Sequence, residues 1–411
     1  MTVDLDPKSA GFDPARLARI DEHLQRNYVD RQRIAGCQVL VARHGHVAHR
    51  SSLGLMDIEH GTPVADDAIW RLYSMTKPIT GVALLSLYEQ ARCKLTDPIA
   101  RYLPEWRDVG VRTKKADGTS EVVAPDRPIT IRDALMHMTG IGFGPPEARL
   151  DLARLAEGGP ARQLPAGTTL ADLSVLLATE PLRFQPGTHW LYSWSTDICA
   201  RLVEAISGRT FDDYLQQTIF EPLGMVDTGF SVRDERDAAR VAALYARAPD
   251  KSLRLVDDPA RRTLLRQPSL QSGGGGLVGT LDDYARFCQM LLGGGELGGH
   301  RVLARPTVEL MRTNHLPGDG ELRDVALPGG YGEVGFDGSG FGLTVAVGLG
   351  PQRSAGVGPA GSFMWGGAAS TIFWVDPVED LFVVFMTQLL PSGTFDFRGQ
   401  LRALTYGAIN D

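Results

Sequence analysis

Strand-forming sequence lies at both ends of this chain, and helix-forming sequence fills most of the middle. Residues 36–43 (GCQVLVAR) and 46–54 (HVAHRSSLG) read as two strands joined at His44-Gly45-His46, after an amphipathic helix at 13–28 with Leu17, Ile20 and Leu24 on one face. Towards the other end, 341–349, 363–365, 371–375 and 381–387 read as strands. A turn at 376–380 joins the last two, and a closing helix follows at 396–408. Between these sets come helix-like segments at 97–103, 131–137, 170–178, 196–207 and 211–220, and residues 227–260 read as connection with some helix. Further helices are expected at 76–92, at 281–292 before Gly293-Gly294-Gly295, and at 302–312. Strands this far apart complete each other only if both chain ends join one sheet. The pattern therefore predicts an α+β fold: an antiparallel sheet flanked by N- and C-terminal helices, built from residues 1–92 and 261–411, with an all-helical domain inserted at 93–260. The cleft between the two parts is the expected site. A Gly-, Pro- and Ala-rich stretch at 140–168 reads as a long excursion or lid.

At 411 residues, with 43% hydrophobic and 22% charged residues, the chain has ordinary globular composition and can bury a large core. A net charge of -7 without a basic stripe argues against nucleic acid as a partner. No run of about 18 apolar residues occurs, so no membrane span is expected. The first residues, MTVDLDPKSAGFDPARLARI, lack an apolar signal-peptide core, which makes the cytoplasm the simplest location. Cys37, Cys93, Cys199 and Cys288 are widely separated and read as reduced, buried thiols, with neither a disulfide framework nor a zinc site. His44, His46 and His49 read as a hairpin turn and its flank rather than a metal cluster. No metal and no cofactor are expected, and oligomeric state is not readable.

The stretch Ser74-Met75-Thr76-Lys77, followed by Pro78 and a helix-forming run, carries the first chemical signal. A serine hydroxyl needs a base within hydrogen-bond reach to act as a nucleophile. Residues three apart share a helix face, so Lys77 lies beside Ser74. A neutral lysine can take the serine proton if burial or a neighbouring cation pulls its pKa down. Lysine is scarce in this chain and arginine abundant, so a lysine here points to a group able to lose its proton. Pro78 has no N–H for the Ser74 carbonyl, which puts Ser74 at a loose helix N-terminus. Taken alone, the tetrad reads equally well as a helix cap followed by a solvated lysine.

Two later elements stand in the same position. Tyr192-Ser193-Trp194 follows Pro186-Gly187 and precedes a helix, so Tyr192 can reach a cleft and share the base role with Lys77; it can also simply pack its ring under the loop. Trp365-Gly366-Gly367 places paired glycines in a strand, which marks either close approach by a ligand or a bulge with a buried tryptophan.

In this order, and with the sequence between them, these elements resemble the serine β-lactamase and penicillin-binding-protein superfamily. Within it the chain is most similar to the class C-like esterases, family VIII carboxylesterases of the EstB type. Supporting stretches are the run from Ile129 to Gly140, Pro186-Gly187-Thr188, Glu221-Pro222-Leu223-Gly224-Met225-Val226-Asp227-Thr228 and Ser272-Gly273-Gly274-Gly275-Gly276-Leu277. The resemblance implies a β-lactamase/transpeptidase-like fold. It implies Ser74 as the acylated nucleophile, Lys77 and Tyr192 sharing the general-base and proton-relay role, and an oxyanion hole from the backbone N–H groups of Ser74 and Ala368. An alcohol leaves on acylation, and water hydrolyses the acyl-enzyme.

Two departures bear on substrate. β-Lactamases of this type carry Tyr-x-Asn where this chain has Trp194, and Lys-Thr-Gly where it has Trp365-Gly366-Gly367. The second change removes a cation facing a substrate carboxylate, worth roughly 1.5–3 kcal/mol when charge-assisted. Apolar walls from Trp190, Trp194, Phe341 and Trp365, with Gly366 and Gly367 lining the site, favour uncharged esters over β-lactams. The expected protein is a serine carboxylesterase for short- to medium-chain esters. An acyltransferase, a weak β-lactamase or D-amino-acid peptidase, and a catalytically silent binding protein are the alternatives. An α/β-hydrolase is disfavoured: no serine sits in G-x-S-x-G, and Asp337-Gly338-Ser339-Gly340 lacks the first glycine and the strand–turn–helix context. His137 and His189 read as structural.

Overall fold

Eight antiparallel strands form one sheet to which both chain ends contribute. In spatial order they are Ser339–Phe341, Ala346–Gly348, Phe363–Gly366, Ile372–Asp376, Leu381–Thr387, Gly36–Arg43, His46–Asp57 and Thr62–Pro63. The seam lies between the fifth and sixth of these strands, where Cys37 is opposite Thr387 and Arg43 is opposite Leu381. Both seam strands are buried along their whole length, which is why their sequences are nearly continuous apolar runs. The computed structural model describes residues 5–142, 164–328, 331–354 and 356–411. Most of the expected lid at 140–168 lies outside the described residues.

Consecutive strand residues face opposite sides of a sheet. His49 reaches Asp21 at 3.0 Å, whereas Arg50 pairs with Asp282. The N-terminal helical run therefore covers one face and helix Leu281–Leu292 the other. The expected helix at 13–28 is a series of short pieces, Pro14–Leu17, Arg19–Leu24 and a π-turn Gln25–Val29, started by the Asp13 carboxylate capping Ala15 and Arg16. The closing helix Phe397–Tyr406 lies on the same face, where Tyr28 donates to Gln400 at 2.6 Å. On the other side, helix Thr76–Glu89 is buried all round except at Tyr88 and Glu89, as befits a central helix.

Two expectations need correcting. The single strand expected at 341–349 is a hairpin, Ser339–Phe341 against Ala346–Gly348, with Thr344 in a left-handed conformation at φ 70°. Its corner residues Leu343, Thr344 and Val345 are fully buried, so no polar turn signal marks the reversal. The corner presses on the central helix so closely that a Cβ on Gly81 would lie 2.1 Å from Thr344 Oγ1. The inserted region is also not all-helical. It holds the hairpins Val111–Lys114 with Ser120–Val123, and Leu244–Arg247 with Leu253–Asp257. The first is mostly exposed and so lacks an apolar alternation to read. The second takes Leu389–Leu390 as a parallel third strand, which only the fold can bring to it.

Among the described residues, no helix is long and apolar enough to cross a membrane. All four cysteines are buried free thiols. The three hairpin histidines meet separate carboxylates: His44 meets Asp380 and Asp411, His46 meets Asp6 and His49 meets Asp21.

Candidate active site

The strand Ile69–Arg71, paired with Val278–Thr280, delivers the chain to Ser74. Tyr73 then takes a left-handed φ of 46°, and a single 3-10 turn, Tyr73–Met75, leads into helix Thr76–Glu89. This sharp entry sets Ser74 just ahead of the helix, with Lys77 one turn on. Lys77 Nζ lies 3.2 Å from Ser74 Oγ and donates to the Gly274 carbonyl at 2.6 Å. Tyr192 enters from the loop before helix Ser195–Ser207, and its hydroxyl donates to Ser74 Oγ at 2.6 Å. Lys77 Nζ sits 4.5 Å from the centre of the Tyr192 ring. All three side chains are buried. The structure thus brings Ser74, Lys77 and Tyr192 into one hydrogen-bonded group from positions 118 residues apart.

The glycine run at 273–276 is the support for this group. Asp197, two residues into the helix after Tyr192, accepts from Ser272 Oγ at 2.6 Å and from the Gly274 N–H at 3.2 Å. Gly274 must be glycine, because a Cβ there would lie 2.3 Å from Asp197 Oδ2. The carbonyl that holds Lys77 is therefore set by a carboxylate on the helix that follows Tyr192.

Gly367 makes the matching close approach on the other side. A Cβ at this position would lie 2.4 Å from the Leu72 carbonyl and 2.3 Å from Thr371 Oγ1. The turn after Trp365 uses the Gly367 N–H, which donates to Thr371 O at 2.8 Å, and the Ser370 N–H, which donates to Gly367 O at 2.9 Å. Among the described residues, none accepts from the Ala368 N–H.

Electrostatics separate the roles of the buried groups. Burial, and then the negative charge of Glu333, push the Tyr192 phenol well above its ordinary pKa, so it is protonated at neutral pH. Burial, and then the positive charge of Lys77, push His137 well below its ordinary range, so it is neutral. The Ser193 N–H donates to His137 Nδ1 at 3.3 Å, which leaves Nε2 to carry the proton and donate to Thr196 Oγ1 at 3.2 Å. His137 is thus a buttress under the Tyr192 loop. His189 is exposed, beside Thr188.

The tryptophans stand elsewhere than expected. Trp365 and Phe341 are fully buried and offer no surface to a ligand; Trp190 and Trp194 are also buried. Trp365 packs 5.5 Å from the Tyr192 ring and 5.6 Å from Phe341, and Trp190 stacks on Tyr192 at 6.1 Å. These rings hold the tyrosine rather than wall a pocket. Apolar character is legible in the sequence, but which side of a strand or loop it faces is decided by packing.

Residues not singled out by sequence complete the surroundings. Tyr331 lies 5.9 Å from the Tyr192 ring and bonds Ser392, whose hydroxyl donates to the buried Glu333 carboxyl at 2.8 Å. Burial pushes Glu333 above the usual carboxylate range. No spacing in the sequence connects Asp197, Glu333 or Ser392 with the tetrad.

The beta-lactamase family profile matches residues 22–407. Protein Rv1367c of Mycobacterium tuberculosis is 34% identical over 378 residues, covering 90% of both chains. Esterase EstB of Burkholderia gladioli is 30% identical over 416 residues, covering 95% of both. Among solved structures, EstCE1, described as a hydrolase with promiscuous acyltransferase activity, superposes with a TM-score of 0.77 at 26% identity, covering 97% of this chain and 99% of its own.

Proposed function

The chain belongs to the beta-lactamase family and is a serine hydrolase, and from that premise we propose that it is a carboxylesterase acting through an acyl-enzyme on Ser74. The observation that carries this reading is the Ser74 oxygen standing between the Tyr192 hydroxyl at 2.6 Å and the Lys77 amine at 3.2 Å. As Ser74 Oγ attacks the ester carbonyl, its proton passes to Lys77, which takes this role in its deprotonated form and stays anchored on the Gly274 carbonyl. The N–H groups of Ser74 and Ala368 receive the developing oxyanion. Collapse breaks the bond to the alkoxide, which takes the Tyr192 proton; Lys77 then restores that proton to the phenolate. Water repeats the sequence on the acyl-enzyme, giving one proton to the Lys77–Tyr192 pair while Ser74 recovers its own. A phenol held protonated by burial suits Tyr192 to the acid role and leaves the base role to Lys77.

The proposed substrate is a small-molecule ester of short to medium chain. No cation stands at the position of Trp365, which supports esters over β-lactams. An alcohol in place of water would make the same intermediate an acyl donor, a reading favoured by the likeness to EstCE1. The test is hydrolysis of p-nitrophenyl butyrate by purified wild type and Ser74→Ala. Turnover surviving in the variant overturns the assignment. Adding an alcohol and following ester products divides hydrolysis from transfer, and nitrocefin turnover at matching rates would favour the β-lactamase alternative. Failure of a fluorophosphonate to label Ser74 would favour a silent binding protein.

A further inference from the structure

Every residue from Ala68 to Leu87 is buried except Tyr73, the neighbour of Ser74, which is only partly so. Its left-handed φ of 46° is unusual for a bulky residue and persists only where the surroundings hold it. Those surroundings are a small apolar cluster of Leu244, Ala246, Val256, Ala368, Ala369 and Leu390, against which Tyr73 packs. The cluster gathers the hairpin Leu244–Arg247 with Leu253–Asp257, the strand Leu389–Leu390 beside it, and the turn after Trp365. Three of its six members are alanines, so small side chains surround the tyrosine, and its ring fills the space they leave. A Cβ on Gly367 would lie 3.3 Å from Tyr73 Cβ, so this side chain leaves the backbone at the strand end that carries the Ala368 N–H.

The reaction proposed above decides which part of an ester meets this cluster. The departing alkoxide takes the Tyr192 proton, so the alcohol lies towards Tyr192. The oxyanion lies towards the Ser74 and Ala368 N–H groups. The remaining substituent of the tetrahedral carbon is the acyl chain, which is directed away from Tyr192. Tyr192 belongs to the main core with Trp190, Phe341 and Trp365, whereas Ala368 and Ala369 belong to the separate cluster under Tyr73. Trp190, Phe341 and Trp365 are buried, but Tyr73 keeps surface next to Ser74.

We propose that Tyr73 sets the acyl-chain limit of the enzyme: its ring plugs an apolar chamber beside the oxyanion donors and confines the preferred esters to short acyl groups. This rests on the esterase reading above and narrows its substrate class. With the ring removed, the space among Leu244, Ala246, Val256 and Leu390 becomes an apolar cavity, and such cavities stay dry and take apolar guests.

The test measures kcat/KM for p-nitrophenyl butyrate and p-nitrophenyl octanoate in wild type, Tyr73→Ala and Tyr73→Phe. The readout is the octanoate-to-butyrate ratio, which a general loss of activity does not move. Each methylene taken into an apolar site is worth about fourfold, and octanoate carries four more than butyrate. Wild type should prefer butyrate. Tyr73→Ala should raise the ratio by about tenfold or more, and Tyr73→Phe, which keeps the ring, should stay within about twofold of wild type. A wild-type preference for octanoate overturns the proposal, as does an unchanged ratio in Tyr73→Ala or an equal rise in Tyr73→Phe. If Tyr73→Ala does not fold, Tyr73→Leu decides: a ratio raised several-fold supports the plug, and an unchanged ratio overturns it. If wild type hydrolyses neither ester, the esterase reading has failed. Calorimetric titration with octanoate then tests the chamber alone: binding by Tyr73→Ala that wild type lacks supports it, and no difference between the two overturns it.

Discussion

Lys77 Nζ is closer to the Gly274 carbonyl, at 2.6 Å, than to Ser74 Oγ, at 3.2 Å. The amine is anchored on the glycine loop, and the loop is anchored on Asp197. Asp197→Ala leaves the Ser272 hydroxyl and the Gly274 N–H without their acceptor, a cost of about 1–3 kcal/mol for each unmet donor. The expected outcome is a lower melting temperature and a loss in kcat of about ten- to a hundredfold with a smaller change in KM, because Lys77 loses its fixed position. Steady-state kinetics with p-nitrophenyl butyrate and a thermal melt check both; Asp197→Asn, which keeps one acceptor oxygen, should fall between.

At Gly367 there is no room for a methyl group between the Leu72 carbonyl and Thr371. Gly367→Ala must move the strand end, and with it the Ala368 N–H. A displaced oxyanion donor should lower kcat by about 10²–10³. A variant that folds normally and keeps the wild-type rate would remove Ala368 from the proposed oxyanion hole.

Tyr192→Phe removes the proposed proton donor while leaving the ring in its aromatic packing. A loss in kcat of about 10²–10⁴ is expected. Because burial raises the phenol above its ordinary value of 10.0, the active protonated form persists through the neutral and mildly alkaline range. The pH profile of the wild type should show no decline from Tyr192 below about pH 10. A decline near pH 8 that disappears in the variant would contradict the assignment of Tyr192 as the acid.

His137 links stability to pH. Its folded pKa is depressed below the ordinary 6.5, so the unfolded chain binds a proton that the folded protein refuses. The associated stability is fully present above pH 6.5 and is lost as pH falls below it, at about 1.4 kcal/mol per pH unit from this group. Urea denaturation between pH 5 and 8 should therefore show a steeper loss towards acid in wild type than in His137→Gln. Equal slopes would mean that His137 ionises freely in the folded state.

How much could be read in advance follows from the range of each interaction. Ser74 and Lys77 are three residues apart on one helix turn, so their contact is a local property of the chain. Helices Leu170–Ala178 and Leu281–Leu292 have the bounds that their periodicity and end signals predict, because caps and breakers are also local. Tyr192 and Gly367 become meaningful only through their order along the chain and the resemblance it carries. Asp197 and Glu333 stay silent, since a carboxylate under a loop or buried beside a tyrosine is placed by tertiary packing. Trp365 shows the same limit in reverse. Its position was legible, but its burial against Tyr192, rather than exposure to a substrate, depended on which face of the strand meets the core.

The seam between the N- and C-terminal strands of the sheet has a consequence for synthesis. Gly36–Arg43 is among the first strands to leave the ribosome, yet its inner neighbour, Leu381–Thr387, is among the last. Until then the N-terminal hairpin has one edge open, and the Gly367 turn has no sheet to brace it against Leu72. The nascent chain therefore carries its serine for most of translation without a working site around it. The surroundings of Ser74 can be complete only once the C-terminal strand has closed the gap between the two halves.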